Sequence, residues 1–291
     1  MKYQSDCIPF GIYEKALPLN TSVQEKLKMA AEAGFDFVEL SIDESDERLA
    51  RLDWTTSERR EFKKVLDDAP IPMFDICLSA HRKFALGSAD EKVRKQAFDI
   101  MAKAIDFGAE CGIRIIQLAG YYVYYEPETP DSIKLYAEGL YYGLERAEKA
   151  GVMLGLENVD GTHVNSVSIA MDFVNQFKSP WFHVYPDIGN LCEQELDVKS
   201  ELEFGRGHIL AVHVKDVKKG QVRRIPFGEG LVDFDRAFQT LANMQFAGPI
   251  LIEMWNDDSP DTLTIIKHAL QFIKQGMKQN GLPVEKYDDS I

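Results

Sequence analysis

The chain has 291 residues, 45% of them hydrophobic and 27% charged, with a formal net charge of −14. That is an ordinary globular mix, close to the roughly 250 residues usual for a (β/α)8 barrel. The acidic balance disfavours a nucleic-acid partner, since such a surface repels phosphates, but a local cluster of Lys and Arg still suits a small anion.

The first residues, MKYQSDCIPFGIYEKALP, lack the apolar stretch and small-residue cleavage site of a secretory signal. No apolar run approaches the roughly 18 residues that span a bilayer. No membrane partner is expected, and the cytoplasm is the expected address. Cys7, Cys77, Cys111 and Cys192 are widely spaced without a Cys-x-x-Cys pair, which argues against a disulfide framework or a structural zinc site.

One phrase recurs along the chain. A helical stretch ends in a small residue plus Gly, and a short apolar run follows. Ala33-Gly34 precedes FDFVELSI, Cys111-Gly112 precedes IRIIQLAG, Ala150-Gly151 precedes VMLGLEN, and Ala247-Gly248 precedes PILIEMW. Gly accepts the left-handed conformation that closes a helix. Runs that are apolar on both faces are those of strands in a parallel sheet. With CIPFGIY, APIPMFDICLSA, WFHVYPD and HILAVHVKD this predicts eight strands, near 8–13, 35–42, 73–79, 114–119, 153–157, 182–187, 209–215 and 250–254. Helical patterns fill most gaps, at 22–33, 57–69, 89–110, 131–150, 166–177, 233–244 and 260–278. The gap after Asp187 is weaker, with only 198–204 helical. Unbroken alternation of eight units predicts a single closed (β/α)8 TIM-barrel domain over 1–291.

Active sites in such barrels lie at the C-terminal strand ends. The fifth strand ends in Glu157, the sixth in Asp187, the seventh carries His213, and the eighth ends in Glu253. A lone Glu at a strand end is often a cap, and a lone His is usually hydrogen-bonded structure. Four ligand-type residues on four successive strands are a much stronger pattern. Three carboxylates and an imidazole suit one divalent ion: manganese first, then cobalt or zinc. Asn158, Asp160 and Asn190 stand near these residues, either to orient them or to cap the next helix.

Basic residues on loops at the same end are candidates for holding an anionic group of the substrate: Lys15, His81, Arg82, Lys215, Arg223 and Arg224. His81-Arg82 is preferred, because the pair directly follows a buried strand. Lys218, Lys219, Arg223 and Arg224 fit a solvated charged loop equally well. Tyr121, Tyr122, Tyr124 and Tyr125 either wall a pocket or pack locally.

The stretches GIYEKALP, GFDFVELSIDE, CLSAHRKFALGS, GIRIIQLAGYYVYY, YPDIGNL, GHILAVHVKD, PFGEGLVDF and GPILIEMW closely resemble the L-xylulose/L-ribulose 5-phosphate 3-epimerases of pentose and ascorbate catabolism. These belong to the xylose-isomerase-like barrels, and relatives have been labelled hexulose-6-phosphate isomerases. The resemblance implies one divalent metal held by Glu157, Asp187, His213 and Glu253. It implies a small phosphorylated sugar as substrate, and a homodimer fits this kind of enzyme. It also implies that Glu157 and Glu253 act both as ligands and as the acid/base pair, on opposite faces of the sugar, while Asp187 and His213 are ligands only. Epimerisation beside a ketone needs such a pair and an ion to stabilise the enediolate. The alternative is an aldose–ketose isomerase, distinguished by its product.

Overall fold

Helix α1 (Val23–Ala33) begins at a capping box in which Ser22 and Glu25 satisfy one another's backbone N–H groups. It stops at Gly34, whose φ of +95° only glycine adopts cheaply. Gly112 and Gly151 close two further helices in the same left-handed conformation. Gly248 does not. The helix before it ends earlier, and this glycine is needed because Phe246 and the Leu210 carbonyl crowd its Cα.

The computed structural model describes residues 7–284. Strands β1 (Phe10–Tyr13), β2 (Phe37–Ile42), β3 (Met73–Leu78), β4 (Ile115–Ala119), β5 (Met153–Glu157), β6 (Phe182–Val184), β7 (Val212–Val214) and β10 (Ile250–Ile252) form one parallel sheet. Between them lie α1, α2 (Asp46–Leu49), α3 (Thr56–Asp67), α4 (Glu91–Cys111), α5 (Ser132–Ala150), α6 (Val167–Phe177), α7 (Ile188–Glu193), α8 (Val198–Phe204) and α9 (Phe234–Asn243). Helix α10 (Thr262–Gln279) follows the last strand. The sheet order β6-β5-β4-β3-β2-β1-β10-β7 closes on itself through parallel bridges Val184↔Ile209 and Asp187↔His213. The expected eight-stranded barrel is therefore present. Its sixth and seventh strands are shorter than expected, because pairing at this seam is reduced to isolated bridges.

Two features differ from the sequence reading. The basic segment after β7 is an antiparallel hairpin, β8 (Asp216–Lys218) with β9 (Gln221–Ile225), rather than a plain loop. Helix α7 fills the gap after Asp187, and Asp187 itself is its N-cap.

Side chains alternate across each strand. Val38, Leu40, Ile76, Leu78, Ile116, Leu118, Leu154 and Leu156 face the helices and join the main core. The intervening residues face the barrel interior. There Tyr13, Phe37, Cys77 and Leu251 form one small apolar cluster, and Ile115, Tyr185 and Ala211 form another. Glu39, Asp75, Gln117 and Glu157 alternate with the outward residues on the same strands, so the inner wall carries a band of buried polar groups. No helix among the described residues is long and apolar enough to cross a membrane.

Candidate active site

Each candidate ligand is fixed by its place on, or directly after, a barrel strand. Glu157 is the last residue of β5, His213 is central in β7, and Glu253 directly follows β10. Asp187 is oriented by its capping role, with Oδ1 accepting the Asn190 N–H at 2.9 Å. Asn158 bridges to the Asp187 backbone in both directions, at 2.8 and 3.0 Å, and Asn190 donates to the Asn158 carbonyl. These two asparagines knit the β5 and β6 ends together. Asp160 turns elsewhere and accepts from the Tyr121 hydroxyl.

One donor atom from each of Glu157, Asp187, His213 and Glu253 lies within 4.8 Å of all the others. His213 Nδ1 is 2.8 Å from Glu157 Oε1, and Gln117 donates to Glu157 Oε2 at 2.5 Å. Lys215 Nζ donates to Glu253 Oε2 at 2.8 Å. It also stands 2.7 Å from Asp187 Oδ2, a charge contact outside hydrogen-bond alignment. Asp187 Oδ2 is thus a buried carboxylate oxygen with no aligned donor among the described residues.

Electrostatics show a site short of positive charge. Burial raises Asp187 to about 7, with Glu253 and Glu157 adding to the rise against Lys215. Burial likewise raises Glu39 to about 8 and Asp75 to about 6. Burial would also raise Glu253, but Lys215 and His213 outweigh it and hold that carboxyl at about 2. Burial disfavours the His213 cation, yet Glu39 and Glu157 on either side push its pKa well up. Five carboxyl groups share this interior with two cations, Lys215 and His213. Their excess negative charge and the unaligned Asp187 oxygen fit a divalent cation held by the four-residue set.

Sequence reasoning missed three residues here. Glu39 reaches His213 Nε2 from across the barrel at 3.1 Å. Asp75 accepts from the Tyr185 hydroxyl at 2.6 Å, and the Tyr185 ring packs against His213 with centroids 4.6 Å apart. Gln117 anchors Glu157. Their signal was a single polar residue inside a strand otherwise apolar on both faces.

The basic candidates separate. His81 is buried with Nε2 against the Ala97 carbonyl at 3.2 Å, and burial lowers its pKa to about 4. It is a neutral group facing α4. Lys15 is engaged by Asp43 at 2.5 Å. Lys215 serves the carboxylates. Arg82 and Arg224 have no carboxylate partner among the described residues. The Arg82 guanidinium lies 5.8 Å from both the Tyr121 and Tyr124 rings. Arg224, at a φ of +61°, lines a cavity of about 610 Å³ together with Glu253 and Trp255. Tyr122 packs against Tyr136 and His163, away from this mouth.

A closed parallel barrel with four ligand-type residues on neighbouring strand ends defines a xylose-isomerase-like TIM barrel. The sequence profile of that family, described as Xylose isomerase-like TIM barrel, matches residues 27–276. Within it, the chain belongs to the L-ribulose-5-phosphate 3-epimerase UlaE family. It is 46% identical over 275 residues to the protein of that name from Escherichia coli O1:K1 / APEC, covering 94% of this chain and 97% of the relative. The Escherichia coli O157:H7 protein of the same name matches to the same extent. Two solved structures share the fold. A D-psicose 3-epimerase with D-tagatose from Clostridium cellulolyticum H10 has a TM-score of 0.78 and 17% identity, covering 93% of this chain and 99% of that one. An L-ribulose 3-epimerase has a TM-score of 0.73 and 21% identity, covering 94% and 95%.

Proposed function

We propose that this protein interconverts epimers at carbon 3 of a ketopentose 5-phosphate, L-ribulose 5-phosphate and L-xylulose 5-phosphate being the pair. The observation that carries the reading is the four-residue donor set within 4.8 Å, in a chain 46% identical to L-ribulose-5-phosphate 3-epimerases. Glu157, Asp187, His213 and Glu253 would hold one divalent ion, manganese, cobalt or zinc. When bound, such an ion supplies Lewis-acid stabilisation for the negative charge that develops beside the ketone.

The chain's own residues supply the proton chemistry. Inversion needs one group to take the carbon-3 proton from one face and another to return a proton to the opposite face. Glu253 remains ionised because Lys215 pairs with its Oε2, so it is ready to accept a proton. Glu157 is anchored by Gln117, which donates to its Oε2 at 2.5 Å and fixes its carboxyl for the opposite face. Asp187 and His213 are ligands without a proton role.

Arg82 is the group that takes the 5-phosphate. It is a mostly buried guanidinium without a carboxylate partner among the described residues, placed beside the edge-to-face Tyr121–Tyr124 pair on the β3–β4 side of the mouth. A phosphate there would supply the missing counter-charge through bidentate hydrogen bonds. Arg224, exposed on the far side, and Lys15, paired with Asp43, are supporting contacts at most.

Carbon NMR of the purified protein with L-ribulose 5-phosphate and manganese tests the reading. The expected product is the 3-epimeric ketose. Formation of an aldose instead would replace the epimerase with an aldose–ketose isomerase.

A further inference from the structure

The geometry points to Glu39 as a positioning residue that fixes which nitrogen of His213 faces the ligand cluster. This inference rests on the metal-site reading above and deepens it.

Glu39 lies mid-strand in β2, on the opposite barrel wall from His213, and is fully buried. Its Oε1 is 3.1 Å from His213 Nε2, while His213 Nδ1 points to Glu157 Oε1 in the cluster. An imidazole that ligates a metal through one nitrogen keeps a single proton, on the other nitrogen. With Glu39 accepting it at Nε2, the Nδ1 lone pair is turned toward the other ligand atoms, which is the tautomer a metal requires.

The alternative tautomer is damaging. Were the proton on Nδ1, it would be donated to Glu157 Oε1, and one hydrogen bond would occupy two ligand atoms at once. Among the described residues no other acceptor is in place for Nε2. The nearby Tyr185 hydroxyl donates to Asp75 Oδ2, and its ring packs edge-on against the imidazole, which holds the ring plane but takes no proton from it.

Burial of Glu39 is costly for the fold, because Oε2 has no hydrogen-bond partner among the described residues. Retaining a carboxylate there makes physical sense only if His213 needs it.

The test compares Glu39→Met with Glu39→Gln in full-length protein stripped of metal, with manganese affinity measured by calorimetry. Met fills the space without an acceptor. Gln keeps an acceptor oxygen. Glu39→Met is expected to weaken manganese binding about 10–100-fold, the usual effect of removing a ligand's hydrogen-bond partner. Its metal-free thermal stability should fall, because buried His213 Nε2 loses its acceptor, so manganese affinity is read on the folded fraction; a Glu39 that served the fold alone would lower stability and leave that affinity unchanged. Glu39→Gln should stay within a few-fold of the parent in affinity.

Three results would overturn the inference: Glu39→Met binding manganese as tightly as the parent, Glu39→Gln alone losing more than about tenfold, or a parent that binds no divalent ion. Should Glu39→Met fail to fold, Glu39→Ala, which removes the acceptor without adding bulk, takes its place in the comparison. A parent that binds manganese but does not epimerise the sugar phosphate would sink the functional reading and leave the Glu39 result standing.

Discussion

Two buried charge clusters occupy the same end of this barrel, and they are built on opposite principles. In the first, Glu14 accepts from Arg51 Nη1 and Nη2, both at 2.7 Å, from Lys26 at 3.1 Å and from the Ser41 N–H at 3.0 Å. Every lone pair of that carboxylate is used. In the second, around His213, Glu39 Oε2, Asp75 Oδ1 and Asp187 Oδ2 have no aligned donor among the described residues. Burial would raise the Glu14 pKa, but Arg51 and Lys26 outweigh it and bring it to about 2. Asp187 goes the other way, to about 7. A cluster that serves the fold closes its own hydrogen bonds, whereas a cluster that serves a ligand leaves them open for it. The contrast separates structure from function without reference to any relative.

The largest effect should come from the open cluster. Asp187→Asn or His213→Ala should empty the purified protein of divalent metal and abolish turnover. Both variants should keep the parent's circular dichroism. Elemental analysis checks this, and full metal content in both would return the two residues to a structural role.

The closed cluster should behave in reverse. Arg51→Met leaves Glu14 buried with Lys26 as its only cation, and breaking a buried pair costs ~3–5 kcal/mol of stability. The metal content of the folded fraction should be unchanged. The pH dependence has a definite sign. Glu14 titrates near 2 when folded, below its ordinary 4.5, so its contribution is fully present above pH 4.5 and lost as pH falls through 2. Chemical denaturation between pH 6 and 2 should therefore show a steeper acid loss in the parent than in Arg51→Met. Parallel curves would mean that the Glu14 pair contributes no net stability.

Arg82 sits between these extremes, as a cation without a carboxylate partner among the described residues. Arg82→Met should reduce kcat/KM for the phosphorylated ketose by about 1.5–3 kcal/mol, the worth of a hydrogen bond to a charged group. Activity on the unphosphorylated sugar should change little. Equal losses on both substrates would remove Arg82 from the phosphate site.

Much of this was legible in the sequence, for identifiable reasons. Strands buried on both faces read as continuous apolar runs, and Gly34, Gly112 and Gly151 mark helix ends because only their backbone accepts that conformation. Glu157, Asp187, His213 and Glu253 stood out because polar residues at the ends of such runs have nowhere to go except the barrel mouth. Glu39, Asp75 and Gln117 did not stand out, although they too are polar residues in apolar strands. Their position in mid-strand points them into the barrel interior, and only closure of the sheet brings Glu39 to His213, 174 residues away. His81 was expected beside Arg82 at the mouth. The single 3-10 turn over Ser79–Arg82 sends the two side chains in different directions, His81 onto α4 and Arg82 toward Tyr121. The β8–β9 hairpin was hidden because its exposed, basic composition reads as a loop.

The central claim, that Glu157 and Glu253 exchange protons with carbon 3 from opposite faces, is tested most directly by NMR in heavy water. The parent enzyme should place deuterium at carbon 3 of the ketose 5-phosphate and none at carbon 1. Glu157→Gln and Glu253→Gln should each lose net epimerisation, yet each should still exchange carbon-3 hydrogen in one epimer, and the two variants should prefer opposite epimers. Deuterium at carbon 1, or exchange of the same epimer by both variants, would contradict the two-faced mechanism.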